Sequence, residues 1–233
     1  MPRILTLVAV TLLLGTAACA ATGDPATPAM STPVPVSTPP TTSSAASPTP
    51  TVDTDAMRAA VDRAGLKSRD LGGAQVRDQR FPGVFLTPCA IEPTAKRWAE
   101  RAWGYTRNGA LTGHGVGAFT PDGSNVVDEI RGAITSCRTW KSDDNTLEQT
   151  MLPAVSIHRP AEADDAVAFC FRLRFLTGPV KGDSIVVCQA FLSRSFLAMV
   201  IGVNAKTVTA AQARLRDAIP LAALSLRRAL PQA

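Results

Sequence analysis

Alternation of apolar and polar side chains is clearest at AVAFCFRLRFL (166–176), where Phe169, Phe171, Leu173 and Phe175 share one side and Cys170, Arg172 and Arg174 the other. A period of two marks a strand. TGPVKGD (177–183) reads as a turn and SIVVCQA (184–190) as the returning strand. Centring this hairpin on Pro179 sets Leu173 against Ile185, Phe171 against Val187 and Cys170 against Cys188. The register that joins the apolar faces therefore also joins two cysteines. FLAMVIGV (196–203) continues the meander, LTGHGVGAFT (111–120) is a separate strand, and LPAVSIH (152–158) is a further short strand candidate.

Elsewhere the period lengthens toward that of a helix. DAMRAAVDRAGL (55–66) is a short helical candidate. A second is predicted over 94–106, with Ala95, Trp98, Ala102 and Tyr105 on one face and Lys96, Arg97, Glu100 and Arg101 toward water. A third opens at Thr120-Pro121, where Val126, Ile130, Ile134 and Cys137 recur at helical spacing and place Cys137 on the buried side. Thr209-Ala-Ala-Gln212 has the form of a capping box for a terminal helix with the stripe Ala211, Leu215, Ala218 and Ile219. Pro220 is expected to kink or restart it. Runs of strands between helices in this arrangement predict an α+β fold, an antiparallel sheet flanked by helices in one domain over 55–233.

The N-terminus changes the picture of where this domain works. Arg3, the apolar run 4–14 and the small residues Gly15-Thr16-Ala17-Ala18 before Cys19 form a signal peptide over 1–18. The run is shorter than the roughly 20 apolar residues a spanning helix needs. Residues 19–54 hold 8 of the 18 prolines with many Thr and Ser, so they are expected to form a disordered tether, which at roughly 3.1 Å per residue reaches about 100 Å. Export implies an oxidising compartment. Of the five cysteines, setting Cys19 aside leaves Cys89, Cys137, Cys170 and Cys188, an even number. Four cysteines allow three pairings. The hairpin register favours Cys170 with Cys188, which leaves Cys89 with Cys137.

Candidate chemistry is sparse. The net charge of +5 is modest, no long basic run exists, and outside the cell a nucleic-acid partner is excluded. Gly113, Gly115 and Gly117 lie on one side of their strand, with His114 on the other. Three side-chain-free positions require a reason, either close packing of another element or the floor of a groove. Arg172 and Arg174 either face water or clamp an anionic ligand. Together these residues are the candidate ligand cleft. His114 and His158 are the only histidines and lie without neighbouring carboxylate spacing, so no metal site or cofactor is expected. No nucleophile elbow, zinc-protease helix, penicillin-binding set or phosphate loop is present, which makes catalysis the least supported class, a hydrolase built from dispersed residues being its remaining form.

The leader, with its small residues before Cys19, resembles that of bacterial lipoproteins, in which this cysteine becomes the lipidated first residue of the mature chain. Cleavage after Ala18 or Ala20, giving a secreted protein, is the alternative. The segments Pro88-Cys89-Ala90, IRGAITSCRTW (130–140), FCFRLRF and SIVVCQAFLSR and the terminal helix, together covering about 55–230, resemble the extracellular sensor domain of actinobacterial PknH-type serine/threonine kinases, a module also carried by actinobacterial lipoproteins. The resemblance implies an antiparallel sheet flanked by helices, the disulfides Cys89–Cys137 and Cys170–Cys188, and a large cleft for an unidentified ligand, with no catalytic residues to carry over. Kinase domain and membrane-spanning helix are both missing here, so a signal would pass to a partner. The expectation is a membrane-anchored, extracytoplasmic binding or sensor-like domain for a small molecule, lipid or wall fragment. A structural or envelope-protein-binding lipoprotein is the alternative.

Overall fold

The structure, a computed structural model, describes residues 53–71, 75–79, 89, 93–107 and 110–230. The leader, Cys19 and almost all of the tether lie outside the described residues. The elements in chain order are α1 (Thr54–Ala64), β1 (Gln75–Gln79), β2 (Lys96–Arg107), β3 (Ala110–Thr120), α2 (Ser124–Ser136), β4 (Thr139–Lys141), β5 (Leu147–Met151), β6 (Asp165–Phe175), β7 (Ser184–Arg194), β8 (Leu197–Ala205) and α3 (Val208–Ala229). The strands form one antiparallel sheet in the order β1-β2-β3-β8-β7-β6-β5-β4. This is the expected α+β architecture with helices on the sheet faces and two disulfides, Cys89–Cys137 and Cys170–Cys188.

The β6–β7 hairpin has the register its apolar pattern requires, with Leu173 opposite Ile185, Phe171 opposite Val187 and Cys170 opposite Cys188. Its odd-numbered aromatics, Phe169 and Phe171, pack with Phe191, Val200 and Phe119 beneath Val126, Val127 and Ile130 of α2. Its even-numbered side belongs to the larger core. There Ala168, Cys170 and Cys188 meet Met199 and Ile201 under α1 and α3, contributed through Ala60, Val61, Leu215 and Leu226. Fully burying each Val, Leu, Ile, Phe or Met among these contributes about 1.5–3 kcal/mol, and burial on both faces lets the alternation of the central strands persist.

The two helices on that face are tied by polar contacts as well as packing. Ser225 Oγ donates to the Ala64 carbonyl (2.8 Å) and Arg63 Nε to that of Ala229 (3.0 Å). Asp53 caps α1, its Oδ1 accepting from the N–H groups of Asp55 and Ala56 at 3.1 and 2.9 Å. The cap of α3 is Thr207 and not Thr209, with Thr207 Oγ1 accepting from Ala210 N–H. This helix runs unbroken through Pro220. Burial of Ala218, Ile219, Ala222 and Ala223 around the proline offsets the hydrogen bond it removes.

Two assignments from pattern are corrected. Residues 94–106 do not form a helix: Lys96–Arg107 is the long strand β2. Its helical-looking spacing has two causes. A register shift between Arg97 and Ala99 inserts Trp98 as an extra residue, and Ala102 and Trp103 are both buried because both faces are covered. Arg101, on what would have been the wet side of a helix, instead pairs with Asp62 of α1 at 2.7 Å. Residues 152–158 are not a strand either; the strand is β5, which ends just before them. Pro153 has no N–H to continue the ladder.

Candidate functional site

Following registers across the sheet locates every candidate cleft residue. Gly113 lies opposite Gly202, which lies opposite Gln189, which lies opposite Phe169. His114 correspondingly aligns with Ile201, Ala190 and Ala168. Gly113, Gly115 and Gly117 therefore share the α2 face, while Arg172 and Arg174 lie on the α1/α3 side with Ala168. The glycines and the arginines stand on opposite faces of the sheet and do not form one cleft.

His114 is part of the core, only 3% exposed. Its Nε2 accepts the Leu66 N–H at 3.0 Å, and its ring stacks on Trp103 at a centroid distance of 4.8 Å. Burial, then the charge of Lys67, pushes its pKa down to about 3. The imidazole is thus neutral at physiological pH and orders the turn after α1. Arg172 and Arg174 are exposed. His158 is exposed in coil, with no strand to fix it.

The glycine pattern extends beyond β3. Gly104, Gly113 and Gly202 occupy one row across β2, β3 and β8. A side-chain carbon on Gly202 would stand 3.8 Å from Cγ of Gln189, and one on Gly113 would stand 3.5 Å from the carbonyl of Trp103. The bare backbone at Gly202 thus receives the glutamine side chain.

A cavity of about 460 Å³ opens instead where α2 ends. Its walls are Ile134, Met151, Leu152 and Phe169, with Thr135 and Arg138 as its polar side chains and Cys137 beside them. Three local features build it. The Cys89–Cys137 disulfide holds the chain leaving α2. β5 stops after Leu152 donates its N–H to the Cys170 carbonyl (3.0 Å), and Pro153 then leads away to Ala154. On the far side Arg131 Nη2 reaches Asp165 at 2.6 and 2.7 Å and the Ala166 carbonyl at 3.4 Å. Between these two closures the edge of β6 at Ala168 borders the cavity.

The lining contains no histidine, aspartate or glutamate. Thr135 Oγ1, its one hydroxyl, donates to the Gly132 carbonyl at 2.7 Å. Such a site can bind and orient but has no base to activate a nucleophile. No group of three or more metal-ligating side chains occurs among the described residues. No protein-family model and no curated protein matches the chain.

The cavity escaped sequence reading because its parts come from 134–138, 151–154 and 168–169, brought together only by the sheet. One local signal was present. A proline directly after a strand candidate marks where that strand must leave its neighbour.

Proposed function

We propose that this protein is a lipid-anchored cell-envelope protein whose folded part is a non-catalytic extracytoplasmic ligand-binding or sensor-like domain, similar to the PknH-type sensor module. The observation that carries the reading is the cavity at the end of α2. It is mostly apolar, its only charged lining residue is Arg138, it is braced by a disulfide, and it lacks an acid–base pair. Its volume falls within the roughly 300–1,000 Å³ usual for small-ligand sites. The two disulfides fit an oxidising compartment, and a lipidated Cys19, exposed by removal of the leader 1–18, would supply the anchor and the tether its reach. A signal would leave through an envelope protein partner.

The test is native mass spectrometry of the full chain isolated from membranes of an actinobacterial host, with organic extraction of any bound species. A discrete added mass that is present in the parent protein and lost in Ala154→Trp, which fills the cavity, supports the reading. An added mass indifferent to that substitution moves the site elsewhere. Cys19→Ser is expected to shift the protein from the membrane fraction to the medium, and retention in the membrane would overturn the anchor.

A further inference from the structure

Building on the reading of this cavity as a ligand site, we propose that it takes a short extended peptide with a free C-terminal carboxylate, bound as added strand at the open edge of β6. In an antiparallel strand, alternate residues turn both backbone polar groups toward the same edge. The Cys170 carbonyl accepts from Leu152 N–H, and the Ala166 carbonyl accepts from Arg131. These two contacts identify the edge facing the cavity and close it at both ends. Ala168 lies between them with its N–H and C=O directed the same way. It is 5% exposed, and none of the described residues extends the ladder beside it on that side.

A buried backbone amide without a partner is costly, so the gap calls for a group that offers one acceptor and one donor at strand spacing. Ala154 would supply both had β5 continued, but Pro153 diverts the chain one step before that register is reached. A peptide unit is the chemistry that restores the missing step, as in recognition by strand addition. Acyl chains lack both groups. The flanking walls of Ile134, Met151 and Phe169 suit an apolar side chain of the ligand. Arg138 is exposed at the lining and has no carboxylate within salt-bridge distance among the described residues. Its guanidinium matches a terminal carboxylate, which it can hold by two parallel hydrogen bonds.

The experiment titrates the full chain with N-acetyl tripeptides of Ala, Leu and Phe as free acids, and separately with decanoate, following the backbone amide resonance of Ala168. The tripeptide acids are expected to shift that resonance. Their C-terminal amides should bind about tenfold more weakly, the scale of one charge-assisted contact. In Arg138→Gln, acid and amide should bind alike, and N-methylation of the central amide should remove binding to the parent protein. Equal binding of the N-methylated peptide, or an acid–amide difference that survives Arg138→Gln, overturns the peptide assignment. A response to decanoate alone also overturns it while leaving the cavity a ligand site. Silence of Ala168 toward every probe removes both the peptide assignment and the binding reading beneath it.

Discussion

Acidification should destabilise this domain through one buried residue, His114. The unfolded chain binds a proton on this imidazole near pH 6.5, whereas in the folded protein burial and Lys67 hold its pKa down to about 3. Below pH 6.5 the unfolded state therefore carries more protons, and stability falls with pH at up to about 1.4 kcal/mol per unit. The contribution is fully present above pH 6.5 and is lost as pH falls toward 3. Integrated between pH 6.5 and 4.5, the loss is about 2 kcal/mol. Most of that window lies above the range where Asp70, Asp122 and Asp144, all held below the usual aspartate value, add their own losses. Urea unfolding of the disulfide-intact protein at half-unit intervals measures the slope. His114→Gln offers an acceptor for the Leu66 N–H without a titrating ring, so it should be less stable at pH 7.5 but nearly flat across the same window. His158 is present in both proteins and cancels in the comparison. A flat profile in the parent, or an unchanged slope in His114→Gln, would refute the placement of a neutral imidazole against Leu66 and Trp103.

Further expectations follow from packing and covalent ties. Replacing both Cys170 and Cys188 by Ser opens a link spanning 18 residues and should cost about 3 kcal/mol in urea unfolding, while the same change at Cys89 and Cys137, spanning 48 residues, should cost about 4 kcal/mol. The second change should also weaken ligand retention, because it frees one wall of the cavity. Gly123→Ala would place its new carbon 2.2 Å from the Leu197 carbonyl oxygen, and a loss of about 2–3 kcal/mol is expected in thermal or urea melts. Gly132→Ala, inside α2 with nothing within 4 Å, should instead stabilise by about 0.5–1 kcal/mol. Equal effects at the two glycines would mean that α2 does not approach β8 as described.

The sequence by itself determined the register of the β6–β7 hairpin, because a period of two permits only registers that keep Phe171 and Val187 on one face, and the cysteines agree with one of these. Helix α1 and the apolar stripes of α2 and α3 were also legible, since each faces a single partner surface, but their starts were not: Thr120 ends β3 and α2 begins at Ser124, and Thr207 caps α3 in place of Thr209. The fold class followed from these elements. Tertiary structure alone decided the rest. Residues of β2 carry a pattern compatible with a helix, and only pairing with β1 and β3, with burial of Ala102 and Trp103 on opposite faces, makes it a strand. The glycines of β3 and the arginines of β6 looked like partners until the intervening strands assigned them to opposite faces. The cavity was the least visible feature of all. An open sheet edge is a property of where neighbouring strands stop, and the stop at Pro153 acquires meaning only once Ala168, from another part of the chain, is known to lie beside it.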